Sequence, residues 1–260
     1  MKRSAAIGLL LCSMICSTAA GAHARAASMV FWYPGEAGST EEAQPVLDDF
    51  LAYVGKKMGD VAITGRYYNT VDGGLKYIAQ GKPAIGIVSF AALSQYGGEM
   101  GDPPVMLSTL PLPEGKPSER YALVGTKREL PPGARILSSE PLTLSYVRER
   151  LFPKLSADAS VSSTTQLFSS LKKIASGEID AFALLTPIEA KTLENLGSPW
   201  AKRLITVWRS ESVPTAKVLL FDRSWKDAER LKEVLIGAGA DPEAKELLQE
   251  LRLKGFSALR

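Results

Sequence analysis

Short apolar runs of strand character alternate with amphipathic stretches of helical spacing along almost the whole chain, and this alternation constrains the fold more than any other feature. Residues 29–33 (Met-Val-Phe-Trp-Tyr) read as a buried strand that Pro34 and Gly35 break. Ser39 and Glu42 have the spacing of a capping box, in which each side chain satisfies a backbone N–H at a helix start. Leu47, Phe50, Leu51, Val54 and Met58 then recur at helical spacing, and Gly59 ends the helix. The scheme repeats with a strand at 61–64, a helix at 70–80, a strand at 84–89 and a short helix at 90–96. Strands at 105–110 and 121–124 follow, joined by a Pro-rich connection.

A second series begins near Arg135. It reads as a strand at 135–137, a helix at 142–152, a strand at 159–161 and a helix through Leu167, Leu171 and Ile174 that Gly177 ends. A strand at 179–185 comes next, and Pro187 opens a helix, a first-turn position that proline favours. Strands at 204–208 and 216–221 precede two closing helices, one with Leu231, Val234 and Leu235, the other with Leu247, Leu248 and Leu251. This order predicts an α/β chain whose mostly parallel sheets are covered by helices on both faces. Two stretches, 105–124 and 204–221, place strands in succession without a helix, which suits a chain crossing between two lobes.

The N-terminus carries an export pattern. Lys2 and Arg3 precede the apolar run 7–15, and Ala22-His23-Ala24 and Ala24-Arg25-Ala26 are overlapping small-residue cleavage sites. That order predicts a secretory signal peptide over residues 1–26, cleaved near Ala24 or Ala26, and a periplasmic protein. The run is too short for a membrane helix, which needs ~20 residues. Cys12, Cys16 and His23 all lie before the cut, so the mature chain is expected to have neither cysteine nor histidine. It then has no disulfide to rely on, even in an oxidising compartment. The net charge of +3 falls to 0 once Lys2, Arg3 and Arg25 are removed. Nucleic-acid binding, which calls for a basic excess, is not expected.

The same residues exclude most catalytic chemistry. Without His or Cys there is no Ser-His-Asp triad, no thiolate nucleophile and no ordinary zinc site. The sequence holds no G-x-S-x-G elbow and no Walker A loop. Residues 237–239 (Gly-Ala-Gly) open like a dinucleotide loop, but Pro242 stands where the third glycine belongs. The pairs Asp48/Asp49 and Glu178/Asp180 read as solvated surface and turn residues. No cofactor and no enzymatic activity are expected. One stretch suits anion recognition: residues 137–145 (Leu-Ser-Ser-Glu-Pro-Leu-Thr-Leu-Ser) join a strand to a helix. Hydroxyls and unpaired N–H groups at a helix N-terminus favour negative charge, although such residues also serve as plain caps.

At this point the chain resembles the PhnD-like periplasmic binding components of phosphate-, phosphite- and phosphonate-type ABC transporters. Four blocks carry the resemblance: 45–59, 77–90, 136–152 and, most specifically, 171–183 (Leu-Lys-Lys-Ile-Ala-Ser-Gly-Glu-Ile-Asp-Ala-Phe-Ala). It implies a type II periplasmic-binding fold, with residues 27–120 and 211–260 in lobe 1 and 121–210 in lobe 2. A small anionic solute would bind between lobes that close by a hinge, at the C-terminal ends of strands. The implied ligand-binding residues are Tyr33, Tyr68, Ser89, Ser138, Ser139, Thr143 and Thr186.

For Tyr33 and Tyr68 the alternative is core packing. For Ser89 and Thr186 it is capping. The family's loop usually has a denser Ser-Thr-Ser-Gly run; here Glu140 and Pro141 interrupt it, and an anion there needs Glu140 to point away. Thr186 stands where aminoalkylphosphonate binders tend to carry an acidic residue for the ligand amine. The implied partner is an ABC-transporter permease, the alternative being a sensor or scaffold subunit working with a membrane kinase. No metal is implied, and a monomer is expected.

Overall fold

The computed structural model describes residues 26–36 and 38–259; the expected signal peptide lies outside them, except for Ala26. The first sheet has six strands and the second has five. Chain order explains how each is built. β1 (Ala26–Trp32), α1 (Thr40–Lys57), β2 (Ala62–Tyr68), α2 (Val71–Gly81), β3 (Ile85–Val88), α3 (Phe90–Tyr96) and β4 (Val105–Pro111) form the first series. β1 pairs in parallel with both β2 and β3. The chain then crosses through a short strand, β5 (Ser118–Glu119), to β6 (Ala122–Gly125).

The second series runs through β7 (Arg135–Ser138), α4 (Leu144–Tyr146), β8 (Ser160–Ser163), α5 (Leu167–Ser176), β9 (Phe182–Leu185), α6 (Pro187–Asn195) and β10 (Ile205–Arg209). α4 continues as a π turn over Val147–Leu151. The return crossing carries β11 (Val213–Pro214) and leads to β12 (Lys217–Leu220), α7 (Ala228–Ala238), α8 (Lys245–Glu250) and β13 (Leu253–Ala258).

The sheet orders are β13-β4-β12-β3-β1-β2 and β10-β6-β9-β7-β8. The first strand laid down after each crossing is reversed. β6 runs antiparallel between β9 and β10, and β12 antiparallel between β3 and β4. The two crossings pair with each other as the antiparallel ladder β5–β11. Next to it, Tyr121 N–H donates to Ser210 Oγ at 2.8 Å, and Ser210 N–H returns a bond to Tyr121 O at 2.9 Å. Two strands tied side by side form a hinge of defined axis, because any rotation of one lobe bends both together.

Each sheet is covered on both faces, as its burial pattern demands. Strand side chains alternate between faces. In β9, Phe182 and Leu184 enter one core with Ile136 and Leu151, whereas Ala183 and Leu185 enter the other with Leu171 and Ile174. In the first lobe, Phe50 and Leu51 of α1 and Met58, which caps its C-terminus, pack with Leu231, Leu235, Leu248 and Phe256. Trp32 is fully buried on the opposite face with Val88 and Leu219.

The Ser39–Glu42 capping box is present in both directions. Ser39→Ala is expected to lower stability by about 1 kcal/mol, read as a lower urea midpoint at unchanged slope.

Three differences from the sequence reading have physical causes. The chain ends on a strand, β13, and not on a second helix. The helical stripe through Leu247, Leu248 and Leu251 stops at Glu250, and residues 253–258 add to the edge of β4 with Leu253 and Phe256 buried. β5 and β11 have two residues each, too few for any periodicity to register. The helix at 142–152 starts two residues later and widens into the π turn.

Candidate functional site

A cavity of about 990 Å³ lies between the two sheets, bounded by the β1–α1 loop, β5, the β7–α4 loop and the start of α6. That volume is at the upper end for small-molecule sites. The lobes meet across it in a closed arrangement. Gly35, at φ +87°, lies against the backbone of Ser139 and Glu140, where a Cβ would fall 2.5 Å from Glu140 Cα. Asn69 holds the Gly35 loop in place: its side-chain amide donates to Gly38 O at 2.7 Å, and Gly35 N–H donates to Asn69 O. On α3, Gln95 Oε1 accepts from Thr143 N–H at 2.8 Å. Ala91, with Phe90 beside it, packs into the core of the second lobe.

The residues implied by the resemblance divide into two sets. Tyr33, Ser89, Ser139 and Thr186 line the cavity. Tyr68, Ser138 and Thr143 do not line it. Tyr68 faces the far side of β2 and packs on Tyr77 with ring centroids 5.2 Å apart; its neighbour Tyr67 reaches the cleft instead, because adjacent strand residues point to opposite faces. Ser138 is 1 % exposed at the end of β7. Thr143 Oγ1 accepts from Tyr146 N–H and caps its own helix.

The helix N-termini facing the cleft are already supplied with acceptors. Ser39 Oγ accepts from Glu42 N–H, and the Glu42 carboxylate accepts from Ser39 N–H at 2.9 Å. Ser89 Oγ accepts from Ala92 N–H. At α6 the Glu189 carboxylate accepts from Thr186 N–H at 2.8 Å and from the Thr186 hydroxyl at 3.1 Å. The two capping carboxylates place negative charge at these helix N-termini, which opposes an exogenous oxyanion there.

Sequence reasoning missed three cleft carboxylates, which share the cavity lining with Arg120, Arg209 and Arg252. Glu36, Glu119 and Glu140 all face the cavity. Glu140 does not point away, as an anion in its loop requires; its Oε2 accepts from the Tyr121 hydroxyl at 2.7 Å inside the cleft. Burial pushes its carboxyl up to about 8, partly offset by the Tyr121 hydrogen bond, with the charges of Glu119, Glu189 and Glu36 adding to the rise. Burial and then Glu36 push Glu119 up to about 7. Burial also raises Glu36, although Arg252 works against it from 3.2 Å. Each keeps some surface open to the cleft, so water moderates these shifts without reversing them.

Burial likewise holds the Tyr33 and Tyr121 hydroxyls in their neutral form. Glu140 was visible in the sequence as a break in the loop. Glu36 and Glu119 carried no local signal.

Among the described residues, no group of three or more His, Cys, Asp or Glu is placed to hold a metal ion, and no helix is long and apolar enough to cross a membrane.

No protein-family model matches the chain, and no curated protein matches it in sequence. Solved structures do. The binding-protein component of an ABC phosphonate transporter from Pseudomonas aeruginosa superposes with a TM-score of 0.61 at 15% identity, over 90% of this chain and 82% of that one. PhnD1 from Prochlorococcus marinus, in complex with methylphosphonate, gives 0.62 at 11%, over 91% and 93%. A periplasmic binding protein of high arginine specificity from Salmonella typhimurium gives 0.54 at 10%, over 87% and 99%. The chain has the fold of the type II periplasmic binding proteins.

Proposed function

We propose that this protein is a periplasmic solute-binding component of an ABC transporter, and that the solute it captures between its lobes carries a positively charged group such as an ammonium or guanidinium. The observation that supports the charge is the set of carboxylates Glu36, Glu119 and Glu140 facing one cavity, with Arg252 the single ion-pair partner found for them among the described residues. Burial raises all three, the charge of Glu36 adds to the rise of Glu119, and the charges of Glu119, Glu189 and Glu36 add to that of Glu140; an opposite charge placed among them relieves both repulsion and desolvation. Tyr33 and Tyr121 add aromatic surface for such a cation. The carboxylates are too dispersed to form a metal-binding group, which favours an extended organic cation over a bare ion.

A permease of the transporter is the partner this reading requires, and binding without chemistry fits a chain whose only Cys and His residues are Cys12, Cys16 and His23. Export by the N-terminal signal and a monomeric state belong to the same proposal. So do the lobe boundaries, 27–120 with 211–260 and 121–210.

A second reading, capture of a small oxyanion, is favoured by the hydroxyls of Ser89, Ser139 and Thr186 at the cleft and by the phosphonate-binding neighbours. It requires protonated Glu119 and Glu140 as donors. A thermal-shift panel at about pH 6 and about pH 8.5 separates the two, since a ligand bound only to the folded form raises the melting temperature. Arginine, lysine, putrescine and choline are expected to give shifts that grow with pH. Phosphate, phosphite and methylphosphonate giving the larger shifts, growing as pH falls, would establish the second reading instead. Silence across both groups would refute solute capture.

A further inference from the structure

The three carboxylates reach the cleft from three separate parts of the fold. Glu36 stands on the β1–α1 loop of the first lobe, Glu119 on the crossing strand β5, and Glu140 on the β7–α4 loop of the second lobe. The contacts that hold the lobes together are made beside them. Gly35, next to Glu36, rests on the backbone of Ser139 and Glu140, and Gln95 bridges to Thr143 N–H. Closing the lobes therefore brings Glu36 and Glu140 together, and opening them separates the pair and returns both to water.

The other charged and titratable groups around them come from every part of the fold, with Glu42 and Glu250 of the first lobe also lining the cavity. From the first lobe come Tyr33, Tyr67 and Arg252. From the crossing come Arg120 and Tyr121. From the second lobe come Tyr146, Glu189 and Arg209. Lys116 and Lys191, at the rim, are engaged by Glu114 and Glu194. Tyr146 is 5 % exposed, and its hydroxyl has no hydrogen-bond partner although Glu140 and Glu119 are the charges that act on it most. The closed site thus holds a buried donor beside carboxylates that lack full compensation.

We infer that lobe closure is coupled to proton occupancy of Glu36, Glu119 and Glu140, so that the empty protein closes when these carboxyls are protonated and opens when they ionise. The mechanism is linkage: whichever form binds protons more tightly is favoured as pH falls. In the closed form the carboxyls are held above their ordinary range; in the open form, separated and solvated, they return towards it. Closure is therefore favoured at low pH and opposed as pH rises through about 7 to about 8. If the captured solute is a cation, which rests on the function proposed above, it takes the place of these protons. Proton-linked closure of the empty protein does not depend on that reading.

Small-angle X-ray scattering of the ligand-free protein tests it. The radius of gyration, about 18 Å for a chain of this size, is expected to increase by about 1 Å between about pH 5.5 and about pH 9, as hinge opening does. Arginines and neutral tyrosines do not titrate there, and the described residues contain no histidine. The Glu119→Gln/Glu140→Gln double variant is expected to stay compact throughout, and Glu140→Gln alone to show a reduced change. A wild-type radius that stays flat or shrinks with pH overturns the inference, and this needs no variant to fold. An increase that persists undiminished in a folded double variant also overturns it. Failure of the solute reading would appear separately, as silence in the thermal-shift panel.

Discussion

Gly35→Ala is expected to weaken solute capture by about 100-fold, equivalent to about 2.7 kcal/mol, while leaving a folded protein. In the closed arrangement the added methyl would meet the carbonyl of Ser139 and lie 2.5 Å from Glu140 Cα. Both obstacles are backbone, so neither can rotate aside, and the lobes must stop short of full contact. A ligand held from both sides then loses its contacts with one. The positive φ of Gly35 adds a second cost, about 1–2 kcal/mol for a side chain in the left-handed region, which falls on stability and not on closure.

Gly101→Ala separates the two effects, because Gly101 has φ +79° and nothing within 4 Å of the added carbon. Both variants should lose stability in urea, but only Gly35→Ala should lose affinity, by titration calorimetry with the compound that gives the largest thermal shift. Equal affinities in both variants would mean that the bound state does not close on Gly35.

Glu140→Gln is expected to reduce affinity for a cationic solute by about 30-fold or more, since removing one partner of a desolvated charge pair costs about 2–5 kcal/mol. The shape and the acceptor for Tyr121 are kept, so the loss reports charge. The same variant should be more heat-stable than the wild type at alkaline pH. Folding raises the Glu140 carboxyl from its ordinary 4.5 to about 8, so the folded form holds its proton more tightly than the unfolded chain. The stability that this provides is complete below about pH 4.5 and is lost as pH rises to about 8. Glutamine cannot ionise and loses nothing. The gap in melting temperature between variant and wild type should therefore widen from about pH 5 to about pH 8 and then level off. An affinity for phosphate or methylphosphonate that is strengthened by the variant at alkaline pH would point to the oxyanion reading.

Much of the scaffold was legible because it is written in local patterns. The Ser39–Glu42 box, the helix at Phe90–Tyr96 and the stop at Gly177 each depend on neighbours within one or two turns. So does the strand preceding Pro187, whose buried residues run without interruption. What escaped was short or relational. β13 adds to an edge whose partner, β4, lies far away in the chain. The placing of Tyr67 rather than Tyr68 at the cleft turned on which face of β2 looks inward, and a difference of one residue reverses that.

The ligand loop shows the same division most sharply. By composition, residues 137–145 offer hydroxyls and a helix start, and the expectation of an anion follows. In the folded protein Gln95 takes the Thr143 N–H, Glu189 takes the Thr186 N–H, and Glu36 and Glu119 arrive beside Glu140 from the other lobe and the hinge. The sequence by itself determined the alternating architecture, the helix caps and the confinement of Cys and His to residues 12–23, because hydrophobic period, capping and composition are read within a few residues. Only the tertiary structure decided the charge of the cleft, because electrostatic environment is a sum over groups that chain folding, and not chain order, makes neighbours.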